Sequence, residues 1–235
     1  KVRRLRYFYS NTEFFHRFFD FTGIPTKILI GRLIALGIWG VFAFISSVDL
    51  IATLIGLVLI YLAVPWLIRA TVRFTARNSK FSNSRFYFSG TTKRAYIEFF
   101  KALGIIIFSF GIFMPVAIWM YKRYLIDHLY AGQLKFSLNN KWSDYMSAYY
   151  VPIFFFFGVM AVVVPISIAV FGIAFSSPTF MGGLIALFYV LGLFFVGPLI
   201  QARIFITTWN HTKLNNSQFQ TDCNQWRFAW IVGTN

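Results

Sequence analysis

Negative charge is nearly missing from this sequence. Seven Asp and Glu stand against 22 Lys and Arg in 235 residues, and only 12% of the residues are charged. A soluble domain carries about 25% charged residues to cover its water-facing surface, so a soluble globular enzyme is excluded first. All seven acidic residues fall near predicted helix ends or in loops, which leaves little for general acid–base chemistry. The single cysteine, Cys223, excludes a disulfide framework and any cysteine-based metal cluster. Gly90, Gly132 and the Gly182-Gly183 pair belong to no phosphate-binding loop, and no His-Glu-x-x-His or Gly-x-Ser-x-Gly pattern occurs. The expectation is a chain that is not an enzyme, with no catalytic, metal or cofactor-binding residue.

What is present is apolar: 58% of residues are hydrophobic and 21% aromatic. Such a composition excludes disorder and points to a multi-pass membrane protein. A span needs ~20 apolar residues to cross ~30 Å of hydrocarbon. Ile28–Ile45, interrupted only by Arg32, and Leu50–Ile68 form one predicted transmembrane hairpin around Ser46-Ser47-Val48-Asp49. Val151–Ala174 and Phe180–Ile200 form a second around Phe175-Ser176-Ser177-Pro178-Thr179, with Pro165 inside its first span. No signal peptide is visible, and both ends read as cut, because the chain starts at Lys1 and stops shortly after the apolar restart Trp226–Val232.

An internal repeat organises the rest. Pro65 precedes Phe86 by 21 residues, as Pro115 precedes Phe136 and Pro198 precedes Phe219. Arg73 and Arg123 stand at equivalent places, where the third copy has Ile206; Asn78, His128 and His211 share another. Each unit reads as a helix leaving the membrane, a turn, and a short strand with alternating aromatics. The opening stretch Tyr7–Thr12 is aligned with the strand half, Phe86–Thr91. Strands are expected near 5–10, 84–89, 134–138 and 217–221, paired into a small cytoplasmic layer. All 22 basic residues lie in 1–32, 69–101, 122–141 and 203–227. By the positive-inside rule these segments are cytoplasmic, which requires an even number of crossings between Phe88 and Lys122. Two short helices over 91–109 and 115–130, folded back at Gly111, satisfy that as a re-entrant hairpin. The uncharged run Ala102–Tyr121 is also long enough for a fifth span. The expected fold is therefore α-helical and multi-pass, with two transmembrane hairpins, a central re-entrant hairpin or fifth span, and short strands. It is read as one membrane domain over 1–235, with units 1–85, 86–135, 136–218 and the start of a fourth at 219–235.

The Phe-x-Phe-Ser-Gly stretch at 86–90, the run closing on Phe110-Gly111-Ile112-Phe113-Met114-Pro115, and the exit Lys122-Arg123-Tyr124 resemble the YjgN family. A Leu-Gly-Ile-Tyr-x-Pro-Trp stretch is typical there. Here Pro65-Trp66 keeps the Pro-Trp, and Val116 stands in the Trp place after Pro115. The resemblance implies a bacterial inner-membrane location and no reaction.

Arg69, Arg73 and Arg77 repeat at i, i+4, i+8, so a helix carries them as one stripe. With Lys122 and Arg123 they are the candidate contacts to anionic lipid head groups or an acidic partner, against the plainer reading of a membrane-flanking cationic face. His128, with Asp127 beside it, and His211 read as polar residues near helix ends, capping or facing water, since two histidines do not make a metal site. Glu98 and Lys101 read as an interfacial i, i+3 pair. Trp66, Trp119, Trp142 and Trp209 are expected at the cytoplasmic head-group level. The basic residues flank spans instead of forming one soluble face, so nucleic acid is not an expected partner. Membrane lipids are, with a larger membrane complex as a further possibility. A scaffold or accessory subunit fits best. The alternative, a transporter or channel for a lipid or small solute, usually needs ionisable residues near the midplane, and Leu33–Ile45 and Leu54–Val64 have none.

Overall fold

The computed structural model describes residues 2–14, 16–46, 49–82, 84–171 and 177–234. Parts of both expected tight turns, 47–48 and 175–176, lie outside the described residues, as do 172–174 at the end of the expected span Val151–Ala174. The element order is α1 (Val2–Ser10), β1 (Glu13–Phe14), β2 (Arg17–Phe21), α2 (Pro25–Ser46), α3 (Leu50–Asn78), β3 (Ser79–Phe81), β4 (Ser84–Phe88) and α4 (Thr92–Phe108). It continues with α5 (Met114–Asp127), β5 (Leu129–Ala131), β6 (Leu134–Leu138), α6 (Trp142–Phe171), α7 (Pro178–Asn210), β7 (Thr212–Leu214), β8 (Ser217–Gln218) and α8 (Gln225–Thr234). Four helices, α2, α3, α6 and α7, are long and apolar enough to cross a membrane, and few of their residues are buried by protein. An apolar helix exposed on most sides is suited to a lipid solvent, so the chain reads as a membrane protein. The chain divides into two compact units, one of 1–104 with 123–137, the other of 105–122 with 138–235.

In the first unit α2 and α3 pack as a hairpin. A Cβ added at Gly56 would meet the Phe42 ring at 2.8 Å, so glycine lets that ring lie against the helix backbone. Six antiparallel strands follow one another in chain order. Phe19 faces Phe81 and Phe21 faces Ser79; Phe86 faces Ala131 and Phe88 faces Leu129; Tyr130 faces Lys135. Alternation puts Phe19, Phe86 and Phe136 on one face, with ring centroids 6.5 and 6.3 Å apart. Phe21 and Phe88 are buried. A Cβ at Gly90 would come within 2.6 Å of the Phe88 ring and of the Tyr124 hydroxyl, so the Phe-x-Gly spacing is a packing requirement. Because β4 pairs with β5, the excursion through α4 and α5 leaves the sheet and returns to it.

One expectation is corrected here. Residues 5–10 form part of helix α1, and the strand of that copy is β2 at 17–21. The Arg6 guanidinium grips the Phe21 and Gly23 carbonyls at 3.3 and 3.2 Å, which fixes α1 on β2 as a helix. The Tyr-Phe-Tyr alternation at 7–9 is thus a local pattern outweighed by a longer-range contact.

In the second unit α6 and α7 pack together and α8 lies on α7. Leu199, Ala202 and Ala229 are buried there, and the Phe205 and Phe228 rings stack at 5.1 Å. Tyr145 and Thr208 share a buried hydroxyl–hydroxyl bond of 2.6 Å. The turn after α4 also belongs to this unit. Gly111 N bonds to Ile106 O and Phe110 N to Ile107 O, a Schellman closure with Phe110 at φ 49° and Gly111 at φ 84°. Tyr150 donates to the exposed Ile112 carbonyl at 2.5 Å. The sequence expectation of a break in the helix at Gly111 thus corresponds to a closed turn between α4 and α5.

The same helix closure recurs four times. Asn11, Asn78, His128 and His211 each place a side-chain nitrogen 2.7 or 2.8 Å from the carbonyl four residues earlier. These bonds satisfy carbonyls that the helix end leaves free. The carbonyls of Asn78, His128 and His211 in turn accept from the backbone N–H of Thr22, Ser89 and Asn139 at 2.8–2.9 Å. Each bond fixes a helix end against the residue that follows a strand.

Candidate functional site

α3 outlasts its apolar stretch. It runs ten residues beyond Ile68 to Asn78, and this polar extension carries the basic stripe. Arg69, Arg73 and Arg77 line one cleft of about 530 Å³, together with Trp66 and Phe74 on the same helix and with Thr22 and Ile24 after β2. Thr22 is held in place by two bonds to the Asn78 carbonyl, from its N–H at 2.8 Å and its hydroxyl at 3.3 Å. The walls are therefore joined to each other by the same closure that ends α3.

The three arginines differ in freedom. Arg69 donates from Nε to the Gly90 carbonyl at 2.7 Å, which aims its guanidinium while leaving the two terminal nitrogens available. Arg73 is half-buried and Arg77 exposed. Among the described residues the ion pairs are Glu13–His16, Arg94–Glu98 and Arg123–Asp127, and none of the three cleft arginines has a carboxylate within 4.0 Å. Three guanidinium groups with no internal counter-ion repel one another, and an anion in the cleft relieves that repulsion. Each planar fork can take two phosphate or carboxylate oxygens.

The remaining sequence candidates sit elsewhere. Arg123 pairs with Asp127 at 3.4 Å, one turn along α5. Lys122 is half-buried in the second unit, and that burial lowers its pKa. Neither lines the cleft. Glu98 pairs with Arg94 at 3.1 Å, one turn back on the exposed side, and this replaces the expected pairing with Lys101. His128 and His211 take the capping role described above. Among the described residues no group of three His, Cys, Asp or Glu gathers to hold a metal.

Sequence reading missed three contributors: Thr22, Gly90 and Tyr124. Tyr124 is buried against Phe88 at 5.6 Å between ring centroids, and its hydroxyl donates to the Thr91 carbonyl at 3.3 Å. Burial raises its pKa; nearby Arg69 and Arg94 oppose that, and Glu98 adds to it. Tyr124 thereby supports the Gly90 turn that Arg69 grips. The Phe-Ser-Gly signal at 88–90 was visible, but its link to Arg69 spans 21 residues and has no local signature.

No curated protein and no solved structure matches the chain. A family match exists along its length and is consistent with the YjgN-like resemblance. The chain belongs to the family described as bacterial protein of unknown function (DUF898), which matches residues 1–235.

Proposed function

We propose that this is a non-catalytic protein of the bacterial inner membrane, a scaffold or accessory subunit, whose basic cleft holds the head group of an anionic lipid. The observation that carries the reading is the set of three arginines without acidic partners on one cleft, beside Trp66. Each basic residue near an anionic surface contributes about 1 kcal/mol. In this reading α2–α3 and α6–α7 are two spanning hairpins, and every basic loop is cytoplasmic. α4 and α5, with 17 and 14 residues, extend only about 25 and 21 Å, short of the ~30 Å hydrocarbon core. They form the re-entrant hairpin. The recurring helix closures support reading the chain as copies of one internal repeat.

The test is lipid co-purification from bacterial membranes in mild detergent, at low and high salt. Arg69→Gln, Arg73→Gln and Arg77→Gln combined should lose anionic lipid that the wild type retains. Raised salt should weaken retention by the wild type, and Arg123→Gln should behave as wild type. Equal retention by wild type and triple variant at both salts would overturn the proposal. Loss of a stoichiometric protein partner, with lipid unchanged, would reassign the cleft to that partner.

A further inference from the structure

On the opposite face of α3 lies a second, open-sided space of about 490 Å³, bordered by α1, α3 and the sheet face of Phe19 and Phe86. Two residues along a helix turn 200°, so Thr75 points away from Arg73 and this space is separate from the basic cleft. We propose that it is a binding site for a neutral hydrocarbon chain.

Size is the first argument. Ligand pockets occupy about 300–1,000 Å³, and this space falls within that range. Chemistry is the second. No charged side chain lines the space. Three of its hydroxyls are engaged within the protein: Thr12 donates to the Phe8 carbonyl at 2.7 Å, and Ser79 donates to the Thr75 carbonyl at 2.8 Å and lies 3.2 Å from the Tyr9 hydroxyl. A charged or strongly polar ligand would lose its hydration there and gain few partners. The aromatic walls, Tyr9 edge-on to Phe19 at 6.4 Å and Phe19 stacked with Phe86 at 6.5 Å, suit methylene groups.

The third argument is that the space is particular to α3. Counted back from the closing residue Asn78, the wall positions are Thr71, Val72, Thr75 and Ala76. Counted back from His128, α5 carries Tyr121, Lys122, Leu125 and Ile126 at those places. Counted back from His211, α7 carries Ile204, Phe205, Thr208 and Trp209. The same backbone closure thus accepts bulky side chains twice, and only α3 keeps all four small. The space next to α3 thus lies where the sequence withholds the side chains that α5 and α7 carry at the same places.

Two sources share this chemistry: the acyl tail of a membrane phospholipid and a free fatty acyl molecule. The test uses the full chain in nanodiscs and two photoreactive probes, each with a diazirine in its hydrocarbon chain. One is a phosphatidylethanolamine built into the bilayer, the other a free fatty acid added afterwards. Labelled residues are mapped by mass spectrometry. Labelling at Phe19, Val72, Thr75 or Phe86 by either probe is expected, and the probe that labels identifies the source. Thr71→Tyr with Thr75→Leu, the side chains α5 already carries, should abolish that labelling. Labelling of the lipid-exposed α2 in the same sample should persist and shows that the variant is inserted. Thr75→Val, which leaves the space open, should label as wild type. Labelling of α2 without labelling of the cavity residues, by both probes, overturns the proposal. So does cavity labelling that survives in the filled variant.

Discussion

α3 and α5 end alike and are otherwise different. Both carry a fully buried proline, Pro65 and Pro115, 13 residues before the closing Asn78 or His128. Both closing side chains bond back to their own helix, and both helices pass directly into a β-hairpin. Yet Arg73 is free in a cleft where the corresponding Arg123 is neutralised by Asp127. Thr71, Val72 and Thr75 leave a space where Tyr121, Lys122 and Leu125 would fill one. The shared positions are those that satisfy backbone or seat the sheet, and they specify the fold. The unshared positions of α3 line its cleft and its apolar space.

The strongest way to break this division is to remove a shared core residue. Phe88, buried between Ala76, Ala95 and Tyr124, stands where Phe21 and Leu138 stand in the neighbouring hairpins. Phe88→Ala should cost about 3–5 kcal/mol, as a large cavity in a packed core does. Phe88→Leu, the side chain of the third hairpin, should cost markedly less. Denaturant unfolding in micelles, followed through the sheet aromatics, measures both. If Phe88→Ala costs no more than the same change at the exposed Phe18, the sheet face is not a core and the division fails.

A smaller effect tests whether the closures are interchangeable. Asn78→Ala and His128→Ala should each cost about 1 kcal/mol, the net value of one hydrogen bond. The exchanges Asn78→His and His128→Asn should each restore most of it, because either side chain can donate to the carbonyl four residues back. Thermal unfolding of the four variants decides the point. A large loss at one site and none at the other would mean that the two helix ends are not equivalent.

The long helices were legible because composition alone specifies them: an uncharged apolar run of span length has few alternatives to a helix in lipid. Their far ends were not. Leu50–Ile68 is the apolar part of α3, but the helix continues to Asn78, since the Arg and Ala residues that follow favour a helix as well as the apolar run does. The stripe Arg69–Arg77 was legible from its spacing and does line one surface. The counter-wall at Thr22 and Ile24 was not, because it comes from a segment 47 residues earlier through a strand misplaced onto 5–10. The apolar cavity had no signal in a single helix. It emerges only when α3 is set against α5 and α7 in register from their closing residues.

The smallest expected effect concerns Lys122, which stands where α3 has Val72. Burial lowers its pKa from the ordinary 10.5, so the folded chain holds the charged amine less well than the unfolded chain does. Well below the lowered pKa both states are protonated, and the folded state carries the whole desolvation cost. As pH rises toward 10.5, the folded side chain releases its proton first, the unfolded state binds more protons, and stability rises with pH. Val at this position has no proton to release. Burial raises the pKa of Tyr121 and Tyr124, which works against stability at alkaline pH, but both tyrosines remain in the variant and cancel in the difference. Lys122→Val should therefore be as stable as wild type at neutral pH or more so, by about 0.5 kcal/mol, and the wild type should gain on it as pH climbs. The measurement is paired unfolding of the two proteins from neutral to alkaline pH. A variant that is less stable at neutral pH, with a deficit that salt removes, would mean that the amine meets an anion. That outcome would give α5 a binding face of its own and end its contrast with α3.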